Sequence, residues 1–362
     1  MSSIRVGVIG TGWCGGIRAG VCATSPLVDE LHIAEIKPDR LAEVSAQTSP
    51  TTATEDYREL LDLGLDAVIV SATPETTHFP MARESLLAGA HVLLEKPLAL
   101  TLDEADELID IAQTRGRKLA IGYSQRFNAK QAYVNQCVRD GTIGAPVSAL
   151  VSRHITRNLG KKIGGRIKLS PAAMEATHDI DFLLWCLQPA RPRTVYAQSV
   201  YGVMKDAHDV PDCTWITITM DNGVVVVVGA GWILPPGYPN FSTTTIEFVG
   251  SEAALLVDDS HRDVVLNRMD GGVTFPMSTM PGEQVGHVYA GPMAGETTHF
   301  LEAVAYDRPV LVPAQEARTV MQVYLAADES AESGRPVTLD LDEARGSRQS
   351  TPAGVAEPVA AG

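Results

Sequence analysis

A short apolar run at residues 4–9 leads directly into Gly10-Thr11-Gly12-Trp13-Cys14-Gly15. No other feature constrains the chain as tightly. Gly-x-Gly-x-x-Gly after a buried strand and at the start of a helix is a dinucleotide-binding turn. Gly10 permits the tight turn, Gly12 lets a pyrophosphate approach the backbone, and Gly15 lets helix and strand pack closely. The helix N-terminus then presents unpaired N–H groups and partial positive charge to the phosphates. Trp13 and Cys14 of the same loop join the expected cofactor set. Glu35 closes the next apolar run, 25 residues after Gly10. A carboxylate there accepts ribose hydroxyls and repels a 2′-phosphate, which selects NAD over NADP.

The spacing of apolar runs predicts a parallel sheet. Strands are expected at residues 4–9, 31–36, 67–72, 91–94 and 119–122, with helices at 57–63, 79–88 and 102–115. Alternation of buried strands with helices implies a Rossmann domain over residues 1–123. Beyond it the pattern changes. A helix at 127–140, a strand at 147–157 and a helix at 172–187 precede strands at 194–201, 213–220, 224–231, 243–249, 253–257 and 263–267. Asp221-Asn222-Gly223 supplies hairpin turn chemistry. Strands in unbroken succession imply an open, mainly antiparallel sheet, and helices return at 297–305 and 314–333. The second α/β domain is therefore expected over 124–338, with 339–362 a mobile tail rich in Ala, Gly, Pro, Ser and Glu.

A formal net charge of -15 disfavours nucleic acids and anionic membranes as partners. The most apolar stretch, 224–230, falls far short of the ~20 residues of a membrane-spanning helix. The first strand follows Met1 almost at once, so no targeting segment is visible. Five cysteines without Cys-x-x-Cys spacing disfavour a disulfide framework or a zinc site. A cytoplasmic protein without a metal centre is expected.

Two further turns lie beyond strand ends, where open α/β sheets bind ligands. They are Ser71-Ala72-Thr73-Pro74 and Glu95-Lys96-Pro97. Together with His78, Gly122-Tyr123-Ser124-Gln125-Arg126-Phe127, His178-Asp179-Ile180-Asp181, His299-Phe300 and Ser333-Gly334-Arg335-Pro336-Val337, they form an ordered set. In that set the chain resembles the glucose-fructose oxidoreductase/inositol dehydrogenase/MocA family over residues 4–338. The resemblance implies NAD as cofactor, with Ser71, Thr73, Pro74, His78, Glu95, Lys96 and Gln125 added to its site. It implies that Lys96 meets the nicotinamide and the reacting carbinol, and that His178 is the second proton-transfer residue. A Lys beside a cationic ring suits proton exchange with a hydroxyl. It also implies pairing of second-domain sheets into a homodimer or homotetramer. One departure stands out. The family often has Asp four residues before the His, with a Gly between; here those positions hold Met174 and Ala176. Met cannot relay a proton, and Glu175 is displaced by about 100° around a helix.

Arg153, Arg157, Lys161, Lys162, Arg166 and Lys168, with His154, form a basic run that no acidic residue interrupts. It either recognises an anionic substituent on the substrate or is a solvated loop. The expected substrate set is Lys96, Arg153, Lys161, Lys162, Arg166, Glu175, His178 and Asp179. Three functions stay open. The first is an NAD-dependent dehydrogenase acting on a ring hydroxyl of a sugar, sugar derivative or cyclitol. The second is a glycosidase that oxidises its sugar transiently and recycles NAD. The third is a non-catalytic NAD-binding sensor.

Overall fold

The computed structural model describes residues 3–238, 242–258, 264–269, 272–274 and 282–340. The first lobe is β1 (Ile4–Ile9), α1 (Trp13–Thr24), β2 (Val28–Ala34), α2 (Pro38–Thr48), β3 (Thr52–Thr54), α3 (Tyr57–Leu61), β4 (Ala67–Val70), α4 (His78–Leu87), β5 (His91–Leu94), α5 (Leu102–Thr114) and β6 (Leu119–Ile121). Its six strands run parallel in the order β3-β2-β1-β4-β5-β6. Continuous Val, Ile and Leu runs are buried on both faces of such a sheet; all four residues of β4 are buried. The Rossmann expectation is met. The α2–β3 segment was missing from the periodicity because β3 is only Thr-Ala-Thr, with no apolar signature.

Three predicted strands were one or two residues too long. β2, β4 and β6 stop at Ala34, Val70 and Ile121. The surplus residues, including Glu35, Ser71 and Gly122, leave the ladder at its C-terminal edge, where the chain turns over the sheet.

The second lobe contains α6 (Ala129–Arg139), β7 (Pro146–Thr156), α7 (Arg157–Gly164), α8 (Thr177–Leu187), β8 (Pro192–Val200), α9 (Val203–His208), β9 (Cys213–Met220), β10 (Val225–Leu234), β11 (Ser242–Gly250) and β12 (Ala254–Asp258). Its sheet order is β12-β11-β7-β10-β9-β8, then the short edge strand Val337–Thr338. The pairing is antiparallel except between β7 and β10. α7 replaces the loop expected around Lys161 and Lys162; it buries Ile163 and exposes both lysines. Residue 263, where a strand was expected to begin, and the tail from 341 to 362 lie outside the described residues.

α8 packs on the inner sheet face, with Phe182 edge-on to Phe248 at 6.1 Å between ring centres. The same apolar cluster runs from Leu94 and Leu108 of the first lobe to Ile216 and Phe248 of the second. The lobes share one core. The chain then returns: α10 (Pro292–Ala305) sets Phe300 and Leu301 against Val6, Val8 and Ile33 of the first sheet. α11 (Ala314–Ser333) closes the second lobe.

Candidate active site

The glycine loop is shaped by its neighbours. Gly10 has φ +78°, and a Cβ there would lie 2.5 Å from Ala72 Cα. A Cβ at Gly15 would strike Gly10 O at 1.8 Å, whereas at Gly12 it would meet nothing within 4 Å. Gly10 and Gly15 are thus fixed by packing, and Gly12 leaves an open cradle. α1 has no side-chain cap and no acidic residue in its first turn, so its leading amides stay available to an anion. Glu35 Oε2 accepts from Thr11 N at 2.8 Å and its Oε1 from Lys37 N at 3.2 Å. The Ser71 hydroxyl is buried without a partner among the described residues. Open cradle, uncapped helix and orphaned hydroxyl fit a dinucleotide. Trp13 is exposed at the loop's tip, and burial pushes the Cys14 thiol up to about 12, with Glu95 adding to it.

Of the remaining expected cofactor residues, all but Gln125 lie on the segments that follow β4 and β5. The Thr73-Pro74 and Lys96-Pro97 peptides are cis, and His78 bridges them, its ring nitrogens facing Pro97 O at 2.9 Å and Ala72 O at 3.1 Å. Gln125, in the turn after β6, accepts from Gln131 Nε2 at 3.1 Å.

Lys96 Nζ donates to Met174 O at 2.6 Å. Residues 172–187 are not a uniform helix: Ala172–Ala176 form a wide π turn before α8. Turns of this kind recur at functional sites. The backbone of Met174 thus supplies an oxygen to Lys96 where the family often has an Asp side chain. Ser170 supports the turn by accepting from Ala173 N at 3.1 Å and donating to Asp328 Oδ2 at 2.8 Å.

His178 opens α8 and lies edge-on to Tyr123, with ring centres 5.8 Å apart. Tyr123 is fully buried, its hydroxyl 2.7 Å from Thr177 Oγ1. Burial holds the His178 imidazole well below its usual range, and Lys96 and Arg153 reinforce this. Its Nδ1 is buried with no partner among the described residues. Asp181, three residues further along α8, turns to Arg126, accepting from Nε at 2.8 Å and Nη2 at 2.6 Å.

The basic run is divided. Arg153 is inside, donating to Asp179 at 3.0–3.1 Å and to the Glu175 carbonyl, while Glu175 Oε1 accepts from Trp232 Nε1 at 2.9 Å. Burial raises the Asp179 carboxyl to about 6, against the pull of Arg153. Arg166 reaches across to the first lobe and pairs with Glu75. Lys168 lies 3.5 Å from Asp209. Arg157, Lys161 and Lys162 make no ion pair among the described residues, and Arg157 Nε is buried unpartnered. Arg153, Glu175 and Asp179 therefore sit beside the π turn but satisfy one another.

Sequence reasoning missed three contributors. Arg40 of α2 donates to Thr11 O at 2.7 Å and Gly12 O at 3.0 Å, bracing the loop. Arg18 and Glu296 lie buried behind Glu95. Only an unusual charge within an apolar helical pattern could have flagged them.

Residues 4–123 match the model of an oxidoreductase family with an NAD-binding Rossmann fold, and residues 132–256 match a GFO/IDH/MocA C-terminal domain. A UDP-N-acetylglucosamine 3-dehydrogenase of Acidithiobacillus ferrooxidans is 28% identical over 92% of this chain and 99% of its own. A scyllo-inositol 2-dehydrogenase (NAD(+)) of Bacillus subtilis is 26% identical over 94% of this chain and 98% of its own. The crystal structure of Lactobacillus casei scyllo-inositol dehydrogenase with NAD(H) and scyllo-inositol superposes with a TM-score of 0.80. It is 19% identical and covers 93% of this chain and 99% of its own.

Proposed function

Because the chain belongs to the GFO/IDH/MocA oxidoreductase family and carries its NAD-binding domain, we propose that it oxidises a ring hydroxyl of a sugar, sugar derivative or cyclitol. The observation that carries this reading is the Lys96–Met174 O anchor on the turn that leads into His178. Bound NAD would supply the hydride acceptor. Lys96, fixed by one of its three donors, has others to orient the carbinol oxygen. His178, held neutral, is suited to take the hydroxyl proton. The relatives' names, an inositol dehydrogenase and a sugar-nucleotide 3-dehydrogenase, support a ring hydroxyl. Gly10, Gly12, Trp13, Cys14, Gly15, Glu35, Ser71, Thr73, Pro74, His78, Glu95 and Gln125 form the cofactor side.

An anionic substituent on the substrate is the finer reading. The charges left for it are Arg157, Lys161 and Lys162, since Arg153 and Arg166 are committed within the protein. The open face of the second sheet carries exposed Trp215, Val225 and Leu256, which we read as a homo-oligomer surface. No described helix is long and apolar enough to cross a membrane.

The test incubates the protein with NAD and paired neutral and anionic polyols or glycosides, following absorbance at 340 nm and aglycone release. Sustained NADH formation that falls by about a hundredfold or more in both Lys96→Ala and His178→Ala supports the reading. Aglycone release at constant NADH, or undiminished turnover in either variant, overturns it. Equal rates on both members of each pair remove the anionic substituent.

A further inference from the structure

Behind Lys96 lies a buried charge cluster that hydride transfer as described does not use. Arg18 of α1 is 0% exposed. Its Nε and Nη2 donate to Glu95 Oε1 at 3.1 and 2.6 Å, and Nη2 also donates to Glu296 Oε2 at 2.7 Å. Its Nη1 donates to Thr297 Oγ1 at 3.3 Å. Glu296 is 2% exposed, and its Oε1 has no partner among the described residues. Two carboxylates on one guanidinium leave one negative charge uncompensated when both are ionised. A buried charge of that kind is costly unless a further positive group faces it or a proton joins it. Glu95 is the member of the cluster with access to the outside, its side chain 14% exposed, and it directly precedes Lys96. The cluster's open end is thus the end of β5, where the cofactor's reactive ring is read to lie.

We propose that Glu95, Arg18 and Glu296 form a counter-charge matched to the oxidation state of the cofactor. The cluster carries one net negative charge beside the cationic ring of NAD+. When the ring is reduced and neutral, Glu296 takes up a proton from solvent and the cluster becomes neutral. No covalent bond changes in this step; it is a protonation linked to ring charge.

Burial pushes the Glu296 carboxyl up to about 7; Arg18 draws it down, and Glu95 and Asp181 push it up again. The groups facing Glu296 are Arg18 and Cys14 of α1, Glu95 beyond β5, Asp181 of α8 with its partner Arg126, and His299 in the same small cavity. Cys14 is a thiol throughout the neutral range, and burial holds His299 below its usual range. Glu296 is therefore the member that titrates near neutrality.

The proposal rests on the placement of the nicotinamide beside Lys96, and its test needs no substrate. The dissociation constants of NAD+ and NADH are measured by calorimetry from pH 6 to pH 8. As Glu296 ionises, NAD+ should gain on NADH, and the NADH-to-NAD+ ratio of dissociation constants should rise by about fivefold across that range. That is the linkage expected if ring charge moves the carboxyl's titration by about one pH unit. In Glu296→Gln the ratio should stay flat at its low-pH value. A flat ratio in the unaltered protein overturns the proposal, as does an unchanged slope in Glu296→Gln. Lys96→Met tests the placement separately: removing a positive charge beside the ring should raise the ratio at every pH. No change in that variant refutes the nicotinamide placement rather than the charge match.

Discussion

His178 is held neutral by three influences at once: burial, the charge of Lys96 and the charge of Arg153. A neutral imidazole can accept a proton, so the sign of the shift suits a base. It has a measurable cost. The unfolded chain binds a proton to this residue below about pH 6.5, and the native protein does not until well below that. Stability therefore falls as pH drops through about 6.5, and His178→Phe should flatten that part of the stability curve in thermal melts. Loss of kcat/KM through protonation of His178 should begin only well below pH 6.5 in the unaltered enzyme. A stability curve left unchanged in the variant would show that burial does not hold this ring neutral.

Among the elements, the π turn and β7 depend on each other through Arg153. The guanidinium joins Asp179, Glu175 and the turn's own backbone, and Trp232 of β10 completes the set. Arg153→Met would leave two buried carboxylates facing each other and should cost about 3–5 kcal/mol in chemical unfolding. A loss below about 1 kcal/mol would show that water, not Arg153, compensates them. The sequence revealed elements whose signal is local. Gly10, Gly12 and Gly15 are legible because a turn, a cradle and a close contact each restrict one position. Lys96 is legible because it lies just beyond the end of a strand. Arg18 and Glu296 are not, because their meeting spans 278 residues and no local pattern records it. The π turn is not legible because all five of its residues are buried, as they would be in a plain helix on the same face. Arg153 was read as available to a substrate for the same reason as Arg18: its partners come from another element.

At the scale of the whole molecule, Arg166 of the second lobe grips Glu75, which follows Thr73-Pro74 of the first. Burial alone would raise the Glu75 carboxyl; the hydrogen bond and charge of Arg166 bring it below its ordinary value. The clasp is therefore intact at neutral pH and contributes stability that is lost only as pH falls into the acid range, below about 4.5. Glu75→Gln should speed NAD dissociation several-fold in stopped-flow measurements at neutral pH, with a smaller effect in high salt. An unchanged off-rate would confine the pair to holding the two lobes together. The return of α10 has a different kind of consequence. Phe300 and Leu301 fill the first sheet's flank, and Glu296 and Thr297 hold Arg18, yet all four are encoded far from the glycine loop. The nucleotide-holding lobe is thus a unit in space but not in the gene. A graft that exchanges residues 1–123 with a relative separates two halves of one surface, and recombination within this family is expected to conserve the first segment and α10 as a linked pair.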